Sequence, residues 1–364
     1  MTQQLISVFF DLLRFSLGVS NQFSHSLSEY EWNDVYHIAV KQSLIGVCFS
    51  GVCKLAGDFR PPRRLTMRWA LDAERIKGLN QKQNETATVL TNKFNQDGFE
   101  TVVLKGQANA LLYPDSQTRQ AGDIDILVDG QKKDVANFLA KKGLMKNAIV
   151  DGKHIHISSK HFGTSVEIHF KAIDSFSPVA CNRILNFLKS EFINKKQSEY
   201  GFFVPSISYA LVMQLAHIKQ HFFSSGIGLR QLVDYYVLLH NSTDVDKKKV
   251  SSHLKVCGLL SMAGAVMWLL GHVLLLDKSL MLCEPDEYRG KMLLSSVMNG
   301  GNFGKYDCSR KQGTWNRWLS DRLRILKLIR FDANDALWHE IRYWLDTLKM
   351  MPYRIKQRRI ALSG

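Results

Sequence analysis

The sequence predicts an α+β protein in which a short strand-bearing core is enclosed by two helical regions. Three observations carry this. Apolar residues recur at helical spacing through residues 1–80 and again through 176–364. Between them, residues 81–175 switch to short apolar runs and strict alternation, the patterns of buried and half-buried strands. Glycine, proline and Asp-Gly punctuation separates those runs, as turns require. The expected organisation is a helical region at 1–80, an α/β core at 81–175 and a helical region at 176–364.

In the first region Leu5, Phe9, Leu12, Leu13 and Phe15 mark one helix. Trp32, Val35, Ile38, Ala39 and Leu44 mark another within Glu29–Ser50, and Met67–Leu79 continues the pattern after the Pro61-Pro62 break. No chemistry-bearing pattern occurs here, so a packing role is expected. Met1–Val19 lacks a basic start and a small-residue cleavage site, and Asp11 interrupts it. It reads as a helix and not as a signal peptide.

In the core, a helix near Asn84–Asn95 stops at Gly98. Thr101–Leu104 follows as a buried strand, ending at Lys105-Gly106, with a short helix or turn over Gln107–Leu112. Ala121–Val128 is a second strand, entered through Gly122. A helix over Lys132–Lys142 turns Val135, Phe138 and Leu139 inward and stops at Gly143. Two strands, Leu144–Val150 and Lys153–Ile157, are joined by Asp151-Gly152, a hairpin signal. The last strand, Thr164–Phe170, places Val166, Ile168 and Phe170 on one face, with Glu167 and His169 on the other.

The third region returns to helices. Ser206–Phe222 carries a core stripe of Leu211, Leu215 and Ile218, with His217 and His221 four apart. The loop Ser224–Gly228 leads into a helix over Leu229–His240 that bears Arg230 and Asp234, also four apart. Cys257–Leu276 is long enough to span a bilayer, but Ser261, Gly264, Gly271 and His272 interrupt it, so it reads as a buried bundle helix. From Arg317 onward the chain is helical and basic, ending in Arg354–Arg359, without exposed aromatics interleaved for base stacking. No internal repeat or low-complexity linker occurs.

Composition narrows the function classes. Lys and Arg total 48 against 33 Asp and Glu, a net charge of +15, which predicts attraction to polyanions such as nucleotides, nucleic acid or an acidic surface. The six cysteines form no Cys-x-x-Cys pair and no zinc-ligand spacing, as expected of reduced thiols in a cytoplasmic protein.

The chemistry concentrates in Gly122-Asp-Ile-Asp-Ile-Leu-Val128. Alternation puts Asp123 and Asp125 on one strand face while Ile124, Ile126 and Val128 take the other. Two adjacent carboxylates repel each other and call for a cation. An all-oxygen site suits Mg²⁺ or Mn²⁺ over zinc or copper. Glu167 on a later strand supplies a third carboxylate, the set that in-line displacement at phosphorus needs, and can help deprotonate an acceptor hydroxyl. Lys105 and Arg119 can neutralise triphosphate oxygens. Lys105 also reads as a solvated strand end, and Arg119 as a loop surface charge.

These residues, in this order, resemble the nucleotidyltransferase superfamily typified by DNA polymerase β. More closely, the chain is similar to a bacterial group of uncharacterised nucleotidyltransferase family proteins. The resemblance rests on Leu104-Lys-Gly106, Leu112-Tyr-Pro114, Arg119 with Gly122–Val128, Val166-Glu-Ile-His169, Gly228-Leu-Arg-Gln-Leu-Val-Asp234 and Gly301-Asn-Phe-Gly304, across residues 30–310. It implies a mixed five-stranded sheet, Mg²⁺ and a nucleoside triphosphate donor, ATP among the candidates. It also implies transfer of a nucleoside monophosphate to an acceptor (a small molecule, a protein or an RNA) with release of pyrophosphate. Asp123, Asp125 and Glu167 would be the catalytic and metal-binding carboxylates. Lys105, Gly106, Arg119, Gly122, Arg230 and Asp234 would be the nucleotide-binding residues. One departure is clear: the superfamily commonly follows its first strand with Gly-Ser, and here Gly106 is followed by Gln107.

Alternatives stay open at this level. The same fold could serve as a non-catalytic nucleotide- or partner-binding module of the toxin–antitoxin kind, or as an RNA-binding protein using the basic C-terminal helices. Arg230 and Asp234 read either as a phosphate contact and its orienter or as a surface ion pair. His217 and His221 read as acceptor-side residues or as ordinary helix histidines. His154, His156, Glu167 and His169 could form a four-residue transition-metal site. Otherwise His169 orients Glu167 or lies at the cleft rim, and His154 and His156 are surface or acceptor-side residues.

Overall fold

The computed structural model describes residues 3–151, 154–174, 177–306 and 314–362, with side chains described to residue 351. Gly152 and Lys153 of the expected hairpin, Cys308, and the side chains of Arg354–Arg359 lie outside the described residues.

Four helices open the chain: α1 (Gln3–Ser16), α2 (Glu29–Gln42), α3 (Ile45–Val52) and α4 (Arg63–Gln96). A capping box starts α2: Ser28 accepts from the Glu31 amide, and the Glu31 carboxylate accepts from that of Ser28. The segment Glu29–Ser50 divides into α2 and α3 because Ser43 turns left-handed at φ 56°. Conversely, the segments read as separate helices over Met67–Leu79 and Asn84–Asn95 are one rod of 34 residues, α4, which passes residue 80 without a break. Its apolar rhythm lapses in the middle because Asn80, Gln83 and Asn84 are buried there as amides.

The core alternates β1 (Glu100–Leu104), α5 (Gly106–Ala110), β2 (Ile124–Asp129), α6 (Lys132–Lys141), β3 (Ile149–Val150), β4 (His154–Ile157), α7 (Ser159–Phe162) and β5 (Val166–His169). The five strands form one mixed sheet in the order β1-β2-β5-β4-β3, as the resemblance implies. Only β2 and β5 run parallel; the other pairs are antiparallel.

The strand alternation read from sequence divides the sheet into two faces. Val103, Ile124, Ile126, Val128, Ile155, Ile157, Val166 and Ile168 all point to one side. There Ala87, Leu90 and Phe94 of α4 and Val135, Phe138 and Leu139 of α6 close over them. Burying such side chains contributes about 1.5–3 kcal/mol each. That face is fully occupied, so Asp125, Glu167, His154, His156 and His169 share the other.

The helical remainder comprises α8 (Pro178–Glu191), α9 (Ile207–Phe223), α10 (Leu229–His240), α11 (Lys247–Val256), α12 (Leu260–Leu274), α13 (Glu287–Gly300), α14 (Thr314–Leu328) and α15 (Ala333–Leu362). A two-stranded pair, β6 (Lys196–Gln197) with β7 (Phe203–Val204), precedes α9. Helices α9, α10 and α12 share one large core with α1, α2 and α3. As expected, α12 is buried within it, and among the described residues no helix is long and apolar enough to cross a membrane.

The C-terminal pair is tied to α9 through charge. Buried Lys219 pairs with Asp335 of α15, and the Arg324 guanidinium caps the end of α9 by donating to the Phe222 carbonyl at 2.8 Å and the Phe223 carbonyl at 2.6 Å. Contrary to expectation these helices do expose aromatics, with Trp315 79% and Trp344 49% exposed. No disulfide joins the described cysteines.

Candidate active site

Strand register assembles the site. In the parallel β2–β5 pair, Asp125 lies opposite Glu167 and Leu127 opposite His169. Asp123 stands one residue before β2, exposed at the mouth. On the far side of β5, antiparallel pairing places His156 opposite Glu167 and His154 opposite His169. Two carboxylates and three imidazoles thus line one sheet face.

Lys105 reaches this group from the end of β1. Its Nζ lies 3.0 Å from Asp125 Oδ1. Its backbone sits at φ 46°, ψ −110°, a region where a side chain costs about 1–3 kcal/mol. Gly106 follows, and a Cβ there would stand a tight 3.3 Å from the Asp123 carbonyl oxygen. Gln107, which replaces the common serine, turns away from the cleft. It is buried and donates to Asn84 Oδ1 at 2.7 Å.

His169 bridges two carboxylates, with Nε2 2.7 Å from Asp125 Oδ1 and 3.3 Å from Glu167 Oε2. These contacts set the charge states. Burial alone would raise the Asp125 carboxyl, but Lys105 and the hydrogen bond from His169 outweigh it and hold Asp125 well below the usual range. The His169 hydrogen bond likewise holds Glu167 down. Burial opposes protonation of His169, yet its bonds to Asp125 and Glu167 keep it above its ordinary value. Among the described residues Asp123 has no hydrogen-bonded partner, and its partial burial followed by the charges of Glu167 and Asp125 pushes it up. Asp125, Glu167 and His169 offer three ligand atoms within 4.8 Å of one another.

The cleft beside this group has a volume of about 240 Å³. Its floor includes Lys105, Asp123, Asp125 and Glu167, and its roof is His217 and His221 of α9 with Arg230 of α10. Burial and the nearby Lys105 charge lower His217 well below its ordinary value and bring His221 to about 4, so both rings are neutral near pH 7. Phe303, held at φ 53° in the turn between Gly301 and Gly304, packs edge-on against His221. That turn presses on Gly228, where a Cβ would meet Asn302 Cα at 2.8 Å. The Leu229 amide donates to Gln42 Oε1 at 2.8 Å, fixing the start of α10 and hence Arg230.

The chain therefore carries, on one mixed sheet, a carboxylate group lining a cleft that Lys105 and Arg230 also line. The family model described as "Uncharacterised nucleotidyltransferase" matches residues 28–274. This chain belongs to that family. A solved structure similar to it is an antigenic nucleotidyltransferase-like protein from Paracoccidioides brasiliensis, at 12% identity and a TM-score of 0.35, covering 54% of this chain and 94% of that one. No curated protein matches the chain.

In this nucleotidyltransferase-family protein the pairing around α10 differs from the reading by spacing. Asp234 does not partner Arg230. It takes Arg119 in two bonds, Nε to Oδ1 at 2.7 Å and Nη2 to Oδ2 at 2.8 Å, and accepts from the Tyr113 hydroxyl at 2.7 Å. Arg119 is buried, not a loop surface charge. Arg230 donates from Nη1 to the Gln120 carbonyl at 2.8 Å. Burial and repulsion from Arg119 lower its guanidinium to about 10.

Sequence reasoning missed the amides of α4. Asn80 donates to the carbonyls of Gln117 at 2.9 Å and Arg119 at 2.8 Å, and Gln83 donates to those of Gly122 and, through its side chain, to Thr164 Oγ1 at 3.0 Å. They fasten the loop that delivers Asp123. Their i, i+3, i+4 spacing on one helix face was the available signal.

Proposed function

We propose that this protein catalyses metal-dependent nucleotidyl transfer, moving a nucleoside monophosphate from an NTP to an acceptor nucleophile with release of pyrophosphate. The observation that carries the reading is the β2–β5 register, which sets Asp125 beside Glu167 with Asp123 just ahead, all lining one cleft. This donor set fits a hard divalent ion: the carboxylate oxygens suit Mg²⁺ or Mn²⁺, and Asp123, raised first by burial and then by the charges of Glu167 and Asp125, gains from a nearby cation. When bound, the ion offsets the charge of the phosphate oxygens and polarises the phosphorus.

The remaining steps belong to the chain's own residues. Lys105 is placed to hold a triphosphate oxygen. Arg230 lines the same cleft, and its Nε is buried with no hydrogen-bond partner among the described residues, a spare donor for phosphate. Gly106 and Gly122 leave room for close backbone approach, while Arg119 and Asp234 serve the nucleotide by fixing the loop between them. Glu167 takes the proton of the acceptor hydroxyl as its oxygen attacks the α-phosphorus and the bond to pyrophosphate breaks. Neutral His217 and His221 face the acceptor side. The acceptor class includes small molecules, protein hydroxyls and RNA ends, the last drawn by the basic α14 and α15.

The test is pyrophosphate release from Mg²⁺-NTP with radiolabelled donors and lysate fractions as acceptors, comparing wild type with the Asp123→Asn/Asp125→Asn protein. Label transfer by the wild type alone is the expected result. Tight NTP binding without turnover across the acceptor panel would instead make the protein a non-catalytic nucleotide-binding module.

A further inference from the structure

A second group of ligating side chains lies one strand beyond the carboxylates, just after β3 and on β4. Asp151, His154 and His156 each offer one ligand atom, all within 4.8 Å of one another. Asp151 Oδ2 lies 3.2 Å from His154 Nε2 and 3.8 Å from His156 Nε2. A tetrahedral ion with bonds of about 2.0–2.1 Å to imidazole and carboxylate separates its ligand atoms by about 3.3 Å. The Asp151–His154 separation already stands near that value, and the Asp151–His156 separation is about half an ångström longer.

The supports around them are those of a ligand set. The His154 amide donates to Asp151 Oδ1 at 2.8 Å, which pins the carboxylate and turns Oδ2 toward the rings. His156 presents Nδ1 to Glu167 Oε1 at 3.2 Å and so leaves Nε2 for the Asp151 side. A carboxylate behind the far nitrogen of a metal-ligating histidine fixes its tautomer and orientation. The two rings stand nearly edge-on, with centroids 4.3 Å apart.

We propose that Asp151, His154 and His156 form a transition-metal site, selective for a borderline ion such as Zn²⁺ and separate from the oxygen-ligated site at Asp123 and Asp125. Imidazole nitrogens suit zinc, whereas the neighbouring carboxylates suit Mg²⁺. Glu167 touches both groups, so an ion on the histidines bears on the carboxylate that faces the cleft. The site requires no nucleotide and no turnover.

The test is a titration of the full chain with Co²⁺, read by its visible absorption bands, in millimolar Mg²⁺, followed by competition with Zn²⁺. Wild type and Asp123→Asn are expected to bind one equivalent with tetrahedral bands that Zn²⁺ removes. Asp151→Asn and His154→Ala are expected to weaken binding at least about tenfold. Circular dichroism checks that each variant folds, and the near-isosteric Asp151→Asn carries the test should His154→Ala not fold. Absence of the bands in wild type overturns the proposal. So does binding that Mg²⁺ abolishes, or that Asp123→Asn removes while Asp151→Asn leaves it intact, since the ion would then sit on the catalytic carboxylates. Loss of nucleotidyl transfer with the bands retained would sink the functional reading alone.

Discussion

Arg119 and Asp234, 115 positions apart, meet in a buried two-bond ion pair that ties the loop before β2 to α10. Asp234→Asn leaves the guanidinium without its counter-charge and is expected to destabilise the fold by about 3–5 kcal/mol, measured as a shift in denaturant midpoint. Burial would raise the Asp234 carboxyl, but Arg119 holds it below its ordinary 3.8. Its contribution is therefore complete above that value and fades as pH falls through the depressed one. Wild type should lose stability below about pH 4 more steeply than Asp234→Asn.

The strained backbone of Lys105 gives a second expectation. Lys105→Gly and Lys105→Ala remove the same charge, but only glycine relaxes at φ 46°. The glycine variant should be more stable than the alanine variant by about 1 kcal/mol. Both should raise the KM for NTP about tenfold, the scale of one charge-assisted hydrogen bond. Equal stabilities would show that the turn is not under strain.

Asp125→Asn should lower the rate of pyrophosphate release by about 10²–10³ with the circular dichroism spectrum unchanged. The neutral amide keeps its place in the β2–β5 register but no longer carries the charge that balances Lys105 and His169. Full turnover in this variant would remove Asp125 from the reaction.

Gln83→Leu deletes the donors to the Gly122 carbonyl and Thr164. Leaving these groups unpaired should cost about 1–3 kcal/mol in thermal or chemical unfolding. It should also lower kcat, because the loop that presents Asp123 loses its fastening. A loss of stability with kcat unaltered would confine Gln83 to a scaffold role.

The sheet and its chemical face were legible in the sequence because period-2 alternation is local. Ile124, Ile126 and Val128 against Asp123 and Asp125, and Val166 and Ile168 against Glu167 and His169, fix the faces with no knowledge of the partner strand. What was not legible depends on distant partners. Nothing near Arg119 points to Asp234, and the four-residue interval suggested Arg230 instead. The continuity of α4 was hidden because Asn80, Gln83 and Asn84 interrupt its apolar rhythm, although each is buried against backbone carbonyls or Gln107. Helix α7 and the β6–β7 pair are too short to set a period. That Gln107 faces α4 could not be read from its neighbours.

The unbroken course of α4 also limits how small a working fragment can be. One end of this rod packs among the first helices through Leu65 and Trp69, and the other lies under the sheet through Leu90 and Phe94. A truncation that starts the chain at residue 81 would sever the rod beside Asn80 and remove Leu65, Trp69 and Ile76 from the core. Anyone trimming this protein for crystallography or domain grafting should keep the full rod together with α1, α2 and α3, which share its first-end core with α9, α10 and α12.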